Sequence, residues 1–136
     1  MEILVVDAQG GGLGRQLIAA IREQCPGHHI TAVGTNSAAT ANMRKGGADA
    51  AATGENAVRV CASRADIIAG PVGIVIADAM LGEITPAMAA AIGQSRAKRI
   101  LIPVSHCDNM IAGASGQPLS QLIKSAVALI REEGAC

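Results

Sequence analysis

Four glycines fall within five positions, Gly10, Gly11, Gly12 and Gly14, in the run Asp7-Ala8-Gln9-Gly10-Gly11-Gly12-Leu13-Gly14. Glycine lets a backbone turn sharply and lie close against a ligand. A helix that starts beside such a run presents unpaired N–H groups to an anion. The run therefore reads as a loop that holds phosphate or another anion, with Asp7, Gln9, Gly10, Gly11, Gly12, Leu13 and Gly14 as its binding residues. The dinucleotide spacing G-x-G-x-x-G is not met, because Arg15 stands where the last glycine would fall. The run is nearer to GxGGxG, with Gln9 in place of the first glycine. It also lacks the G-K-[ST] ending of a P-loop, so ATP hydrolysis of that type is not expected. A plain strand-to-helix turn is the competing explanation, but a turn does not need four glycines.

Further candidates follow along the chain. Proteins that bind NAD carry an acid at the end of their second strand for the ribose hydroxyls. Here Thr35 and Asn36 occupy that place; they can bond a ribose or leave room for a 2′-phosphate near Arg44, or Asn36 and Ser37 can simply cap the next helix. Thr53, Glu55 and Asn56 form another polar cluster; a helix cap explains the first two but not Asn56. Gly70-Pro71-Val72-Gly73 offers bare, rigid backbone suited to lie along a ring or ribose, with Gly70, Pro71 and Gly73 as contacts, unless it is only a turn. Ser105-His106-Cys107-Asp108-Asn109 places a thiol beside an imidazole, which makes Cys107 a candidate nucleophile. Neighbours on an extended segment point opposite ways, however, and buried cysteine is common as a small hydrophobe. Asp78 and Glu83 are open to acid–base roles or to solvated helix positions.

These residues have to be positioned by a scaffold, and the chain predicts one. Apolar runs at Glu2–Val6, Ile30–Val33, Ala48–Ala52, Asp66–Gly70 and Arg99–Pro103 read as buried strands. Between them, Leu13, Leu17, Ile18 and Ile21 share one helical face that ends at Cys25-Pro26-Gly27. Ser37 reads as the N-cap of a second helix that runs to about Lys45 and ends at Gly46-Gly47. Thr53 reads as the cap of a third, and Pro86 falls in the first turn of another that runs through Ile92. Gly73–Met80 suits either helix or strand, and helix is the expectation. Leu119, Leu122, Ile123, Ala126 and Ile130 mark a final amphipathic helix. Alternation of this kind forces crossovers and a parallel sheet covered on both faces. The expected fold is a Rossmann-like three-layer α/β domain spanning residues 1–136, with about five mostly parallel strands. Ligands bind such sheets at the carboxyl ends of the strands. The loops assigned to that edge are denser in glycines, amides, hydroxyls and carboxylates than those of the opposite edge.

Composition narrows the partners. The formal net charge is zero, half of the residues are hydrophobic, and Phe, Tyr and Trp are absent. There is no basic stripe and no stacking platform, which argues against nucleic acid. No apolar run reaches the length of a membrane span. No basic leader precedes the first strand, and a cytoplasmic location with reduced thiols is expected. The four cysteines make no CxxC pair, so no metal site is expected. Cys25, Cys61 and Cys136 read as structural or incidental, and His28 and His29 as exposed residues of the opposite edge.

The segments DAQGGGLG (Asp7–Gly14), GTN (Gly34–Asn36), TGENA (Thr53–Ala57), GPVGI (Gly70–Ile74), LGEIT (Leu81–Thr85) and IPVSHC (Ile102–Cys107) together resemble a bacterial family of short proteins catalogued only as a domain of unknown function. The resemblance covers nearly the whole chain. Its members usually show Asp-Gly-Gln at the start of the loop, where this chain has Ala8. It implies a Rossmann-like fold and carries no activity. The functional expectation is thus a nucleotide- or dinucleotide-binding protein, with NAD(P) or another nucleotide as cofactor, serving as an accessory or oxidoreductase subunit. A chain of 136 residues leaves no room for a substrate domain, which favours a homo-oligomer. The alternatives are a non-catalytic small-anion sensor or scaffold subunit and a thiol-dependent enzyme using Cys107.

Overall fold

The computed structural model describes residues 1–104, 108–114 and 116–135. Five strands, β1 (Glu2–Asp7), β2 (His29–Gly34), β3 (Ala50–Thr53), β4 (Ile67–Pro71) and β5 (Lys98–Ile102), form one sheet in the order β3-β2-β1-β4-β5. Every pairing is parallel. Helices α1 (Gly12–Gln24), α2 (Ser37–Lys45), α3 (Glu55–Arg64), α4 (Pro86–Gln94) and α5 (Leu119–Ile130) cover both faces. The Rossmann-like α/β expectation is met.

Side chains of a strand alternate between faces, so β1 serves two cores. Ile3 and Val5 pack with Leu17, Ile18 and Ile21 of α1 and with Ile123, Ala126, Val127 and Ile130 of α5. Leu4 and Val6 pack with Val58 and Ala62 of α3 and with Met88 and Ile92 of α4. All of β1 from Ile3 to Val6 is fully buried, as a central parallel strand requires. The chain runs outward from β1 to β3, then crosses to β4 and runs outward the other way. With crossovers of one hand, that reversal sends α3 and α4 to the face opposite α1, while α5 returns to the face of α1. It also parts the loops that leave β1 and β4, opening a crevice at their carboxyl ends.

Local differences from expectation have identifiable causes. Asn36, not Ser37, caps α2: its side chain accepts the Ala39 N–H. Thr53 is not a cap; it ends β3, and Gly54 precedes α3 with no side-chain cap. The third strand begins at Ala50 rather than Ala48, since the carboxylate of Asp49 turns back to accept the Ile30 N–H at 2.8 Å. Gly73–Met80 is neither a long helix nor a strand. A single 3-10 turn, Val72–Val75, gives way to a loop, consistent with a β-branched run that resists helix propagation.

Candidate functional site

A cleft of about 640 Å³ opens at the reversal point between β1 and β4. Asp7–Leu13 of the glycine loop line it, with Pro71 from the end of β4 and Asp78–Leu81, Val104, Asp108 and Asn109 from neighbouring loops. Asp7 organises the loop from below. The residue is 5 % exposed, and its carboxylate accepts the Ala8 N–H and the Gly14 N–H, each at 2.8 Å. Burial pushes its pKa up, the two backbone donors pull against that, and the nearby charge of Glu83 adds to the rise.

The loop's carbonyls are occupied. Ala8 accepts the Gly11 N–H, Gln9 accepts Nδ2 of Asn36, and Gly10 accepts Nδ2 of Asn42. The N–H groups of Gly10, Gly12 and Leu13, in contrast, have no acceptor among the described residues. Three unpaired donors at a helix start, with no acid in the first turn of α1, form an anion-accepting edge.

The four glycines divide into two kinds. Gly11 has φ +73, and a Cβ on it would stand 2.6 Å from the Ala39 carbonyl oxygen. A Cβ on Gly14 would meet Sδ of Met43 at 2.6 Å. Backbone contact and φ demand glycine at Gly11, and the side chains of Met43 and Asp7 crowd against Gly14. Gly10 and Gly12 have nothing within 4 Å and no positive φ. Among the described residues, nothing requires them to be glycine.

Glu83 is the residue that sequence reasoning undervalued. It is half-buried, on a loop rather than a helix. Its Oε1 accepts the Gln9 N–H at 2.9 Å, the Thr35 hydroxyl at 2.6 Å and Nδ2 of Asn36 at 2.8 Å. It therefore ties the glycine loop to the end of β2 across a long sequence separation. These bonds, led by the Thr35 hydroxyl, hold its carboxyl below the ordinary range. A depressed carboxyl stabilises the fold above its unfolded pKa and withdraws that support as pH falls through the folded value. Glu83→Ala should cost about 1–2 kcal/mol at neutral pH, allowing for its partial exposure. Denaturant unfolding should show the difference from wild type shrinking in acid. A constant difference across pH would show that the charge is not what holds the loop.

The remaining candidates disperse. Thr35 and Asn36 do lie beside the loop, but their polar groups are engaged with Glu83, Gln9 and Ala39. Arg44 falls in the last turn of the nine-residue α2, roughly 12 Å along the axis from that cap. Thr53 bonds the hydroxyl of Thr40. Glu55 accepts the Thr85 hydroxyl at 2.6 Å, joining α3 to the cap of α4. Asn56 lines a separate groove between α3 and α4. Gly70 is a packing glycine: a Cβ there would stand 2.3 Å from the Val6 carbonyl oxygen. Gly73 is buried in the 3-10 turn, which leaves Pro71 as the member of that run in the cleft. Asp78 is on the cleft wall, not on a helix. Cys107 lies outside the described residues, as do Ser105 and His106. Cys61 is half-buried and its thiol is pushed up by burial, in keeping with a structural role. His29 faces Glu2 at the far edge of the sheet. Among the described residues no cluster of metal ligands forms, and no helix is long and apolar enough to cross a membrane.

Among solved structures, the chain is similar to a dodecameric FMN-dependent UbiX-like decarboxylase from Escherichia coli O157:H7. The TM-score is 0.54 at 17% identity, over 100% of this chain and 96% of that one. At that identity the likeness is one of fold. No curated protein matches the chain. A family model does match, over residues 2–135, and the chain belongs to that family, described as Domain of unknown function (DUF3842).

Proposed function

We propose that this protein binds a nucleotide-type ligand, with a phosphate held by the free N–H groups of Gly10, Gly12 and Leu13. The observation that carries this reading is the pair Gly10 and Gly12, which fold and packing leave unexplained. Bare backbone at a switch-point cleft is what close approach of a phosphate needs. The FMN-dependent relative in fold supports a flavin nucleotide as the first ligand to try. For NAD, the supporting feature is Glu83, which brings a carboxylate to the end of β2 where the sequence itself has none. Arg44 gives NADP no such support. The dodecameric neighbour also favours assembly of this chain into a homo-oligomer, in which another copy would close the open side of the cleft.

A thermal-shift series against FMN, FAD, NAD, NADP, AMP, ADP, ATP and inorganic phosphate tests the reading. A ligand at about 100 times its Kd adds roughly 2.7 kcal/mol, or a rise of several degrees in a domain of this size. Gly12→Val should fold normally, since Cβ space at Gly12 is open, and should lose the rise. A rise that survives in Gly12→Val would place the ligand elsewhere, and no rise with any nucleotide would overturn the reading.

A further inference from the structure

The wall facing the glycine loop is built in an unfavourable way. Asp78, Met80 and Leu81 have φ of 64, 57 and 58, and Gly82 follows at 86. Each left-handed residue that is not glycine costs about 1–2 kcal/mol. Backbone bonds hold the turn shut: Asp78 N–H to the Ile84 carbonyl at 2.7 Å, Gly82 N–H to Asp78 at 3.2 Å and Glu83 N–H to Met80 at 3.2 Å. Ile84 is fully buried beneath it, and Glu83 fastens its end to Gln9. The turn is thus fixed against the glycine loop, yet Leu81 at its apex is 97 % exposed.

Leu81 gains nothing from this place in the free chain. Its side chain is not buried, and its backbone would be easier as glycine. Strain of this kind concentrates where a structure meets a ligand. Leu81 and Met80 line the same cleft as Gly10, Gly12 and Leu13, and Pro71, Ala79 and Val104 extend their apolar surface. The cleft therefore has a donor-rich floor and an apolar wall. Its described lining side chains include Asp7, Asp78 and Asp108 but no lysine, arginine or histidine. Carboxylates of that number repel a longer polyphosphate more strongly than a single phosphate seated on backbone donors.

Resting on the phosphate assignment above, we infer that Leu81 and Met80 form the binding wall for a flat apolar ring, and that the ligand is a monophosphate carrying such a ring. A cleft of about 640 Å³ falls within the range of small-molecule sites. The left-handed turn is then a preset jaw: the fold carries its strain so that the apolar surface already faces the phosphate edge before the ligand arrives.

The test uses the whole chain and three probes: FMN (ring and phosphate), riboflavin (ring alone) and inorganic phosphate. Flavin fluorescence gives the Kd of the first two, and competition against FMN gives the third. Leu81→Gly suits a left-handed position, so the unliganded protein should melt at the wild-type temperature or a few degrees above it. FMN should bind it tenfold more weakly or worse, and riboflavin should lose in proportion, with inorganic phosphate unchanged. Gly12→Val should show the opposite selectivity, weakening FMN and phosphate but leaving riboflavin. The inference is overturned if Leu81→Gly binds FMN as wild type does, if it alters the oligomeric state without altering FMN affinity, or if FMN does not bind the wild type at all. In that last case a Gly12→Val-sensitive thermal shift with another nucleotide would leave the phosphate assignment standing.

Discussion

Gly70→Ala should remove about 4 kcal/mol or more of stability, and Gly11→Ala about 3, while Gly10→Ala and Gly12→Ala should stay near wild type. The first value follows from contact. The new methyl carbon at position 70 would stand 2.3 Å from the Val6 carbonyl oxygen, between two buried neighbouring strands that cannot part without breaking their ladder. The second combines two costs. At φ +73 alanine is strained, and its Cβ meets the Ala39 carbonyl oxygen at 2.6 Å. Gly10 and Gly12 carry neither burden, and alanine at Gly12 opens a helix better than glycine does. Urea unfolding of the four variants decides the matter. A large loss at Gly12 would mean that the loop's glycines serve folding, and the strongest support for a ligand there would be gone.

That division among glycines shows what the sequence could and could not reveal. The strands were legible because a central parallel strand must be apolar on both faces, as Ile3–Val6 is. The cleft's location followed from strand order, since alternating elements leave few topologies and each has its crevice at a reversal. Four glycines in a row of five were also legible, but not which of them the packing uses. That depends on Ala39 and Met43, which approach from α2. Glu83 was hidden for the same reason: its partners Gln9, Thr35 and Asn36 lie 47 or more positions away, beyond any local pattern. Thr53 and Glu55 misled because a threonine before an acidic residue resembles a cap, whereas Gly54 takes the turn and leaves both side chains to bond across helices. The left-handed turn at Asp78–Gly82 carries a single glycine, so nothing in its residue types announced it.

Asp7 should give the second large effect, and its size and pH dependence differ with the replacement. Asp7→Ala strands the N–H groups of Ala8 and Gly14 in a buried place. Each orphaned donor costs about 1–3 kcal/mol, partly offset by removing a buried charge, so a net loss of about 2–3 kcal/mol is expected. In a domain of this size that lowers the melting temperature by about 10 °C. Asp7→Asn behaves differently. The carboxyl's folded pKa is raised above its unfolded value, so the protonated form supports the fold below the unfolded pKa, and that support is lost as pH rises through the folded one. Asparagine removes the titration but keeps only one acceptor, so its NH2 group faces one of the two backbone N–H groups and strands it. It should cost about 1–3 kcal/mol, less than alanine, with a flatter pH profile than wild type. The same charge bears on the ligand. A phosphate seated on the Gly12 and Leu13 N–H groups would raise the pKa of Asp7 further, so binding should take up a proton that Asp7→Asn does not take up. Calorimetry in two buffers of different ionisation enthalpy measures that uptake directly. Equal apparent enthalpies for wild type would mean either that Asp7 stays ionised beside the ligand or that the ligand's charge lies away from the loop, and Gly12→Val separates the two.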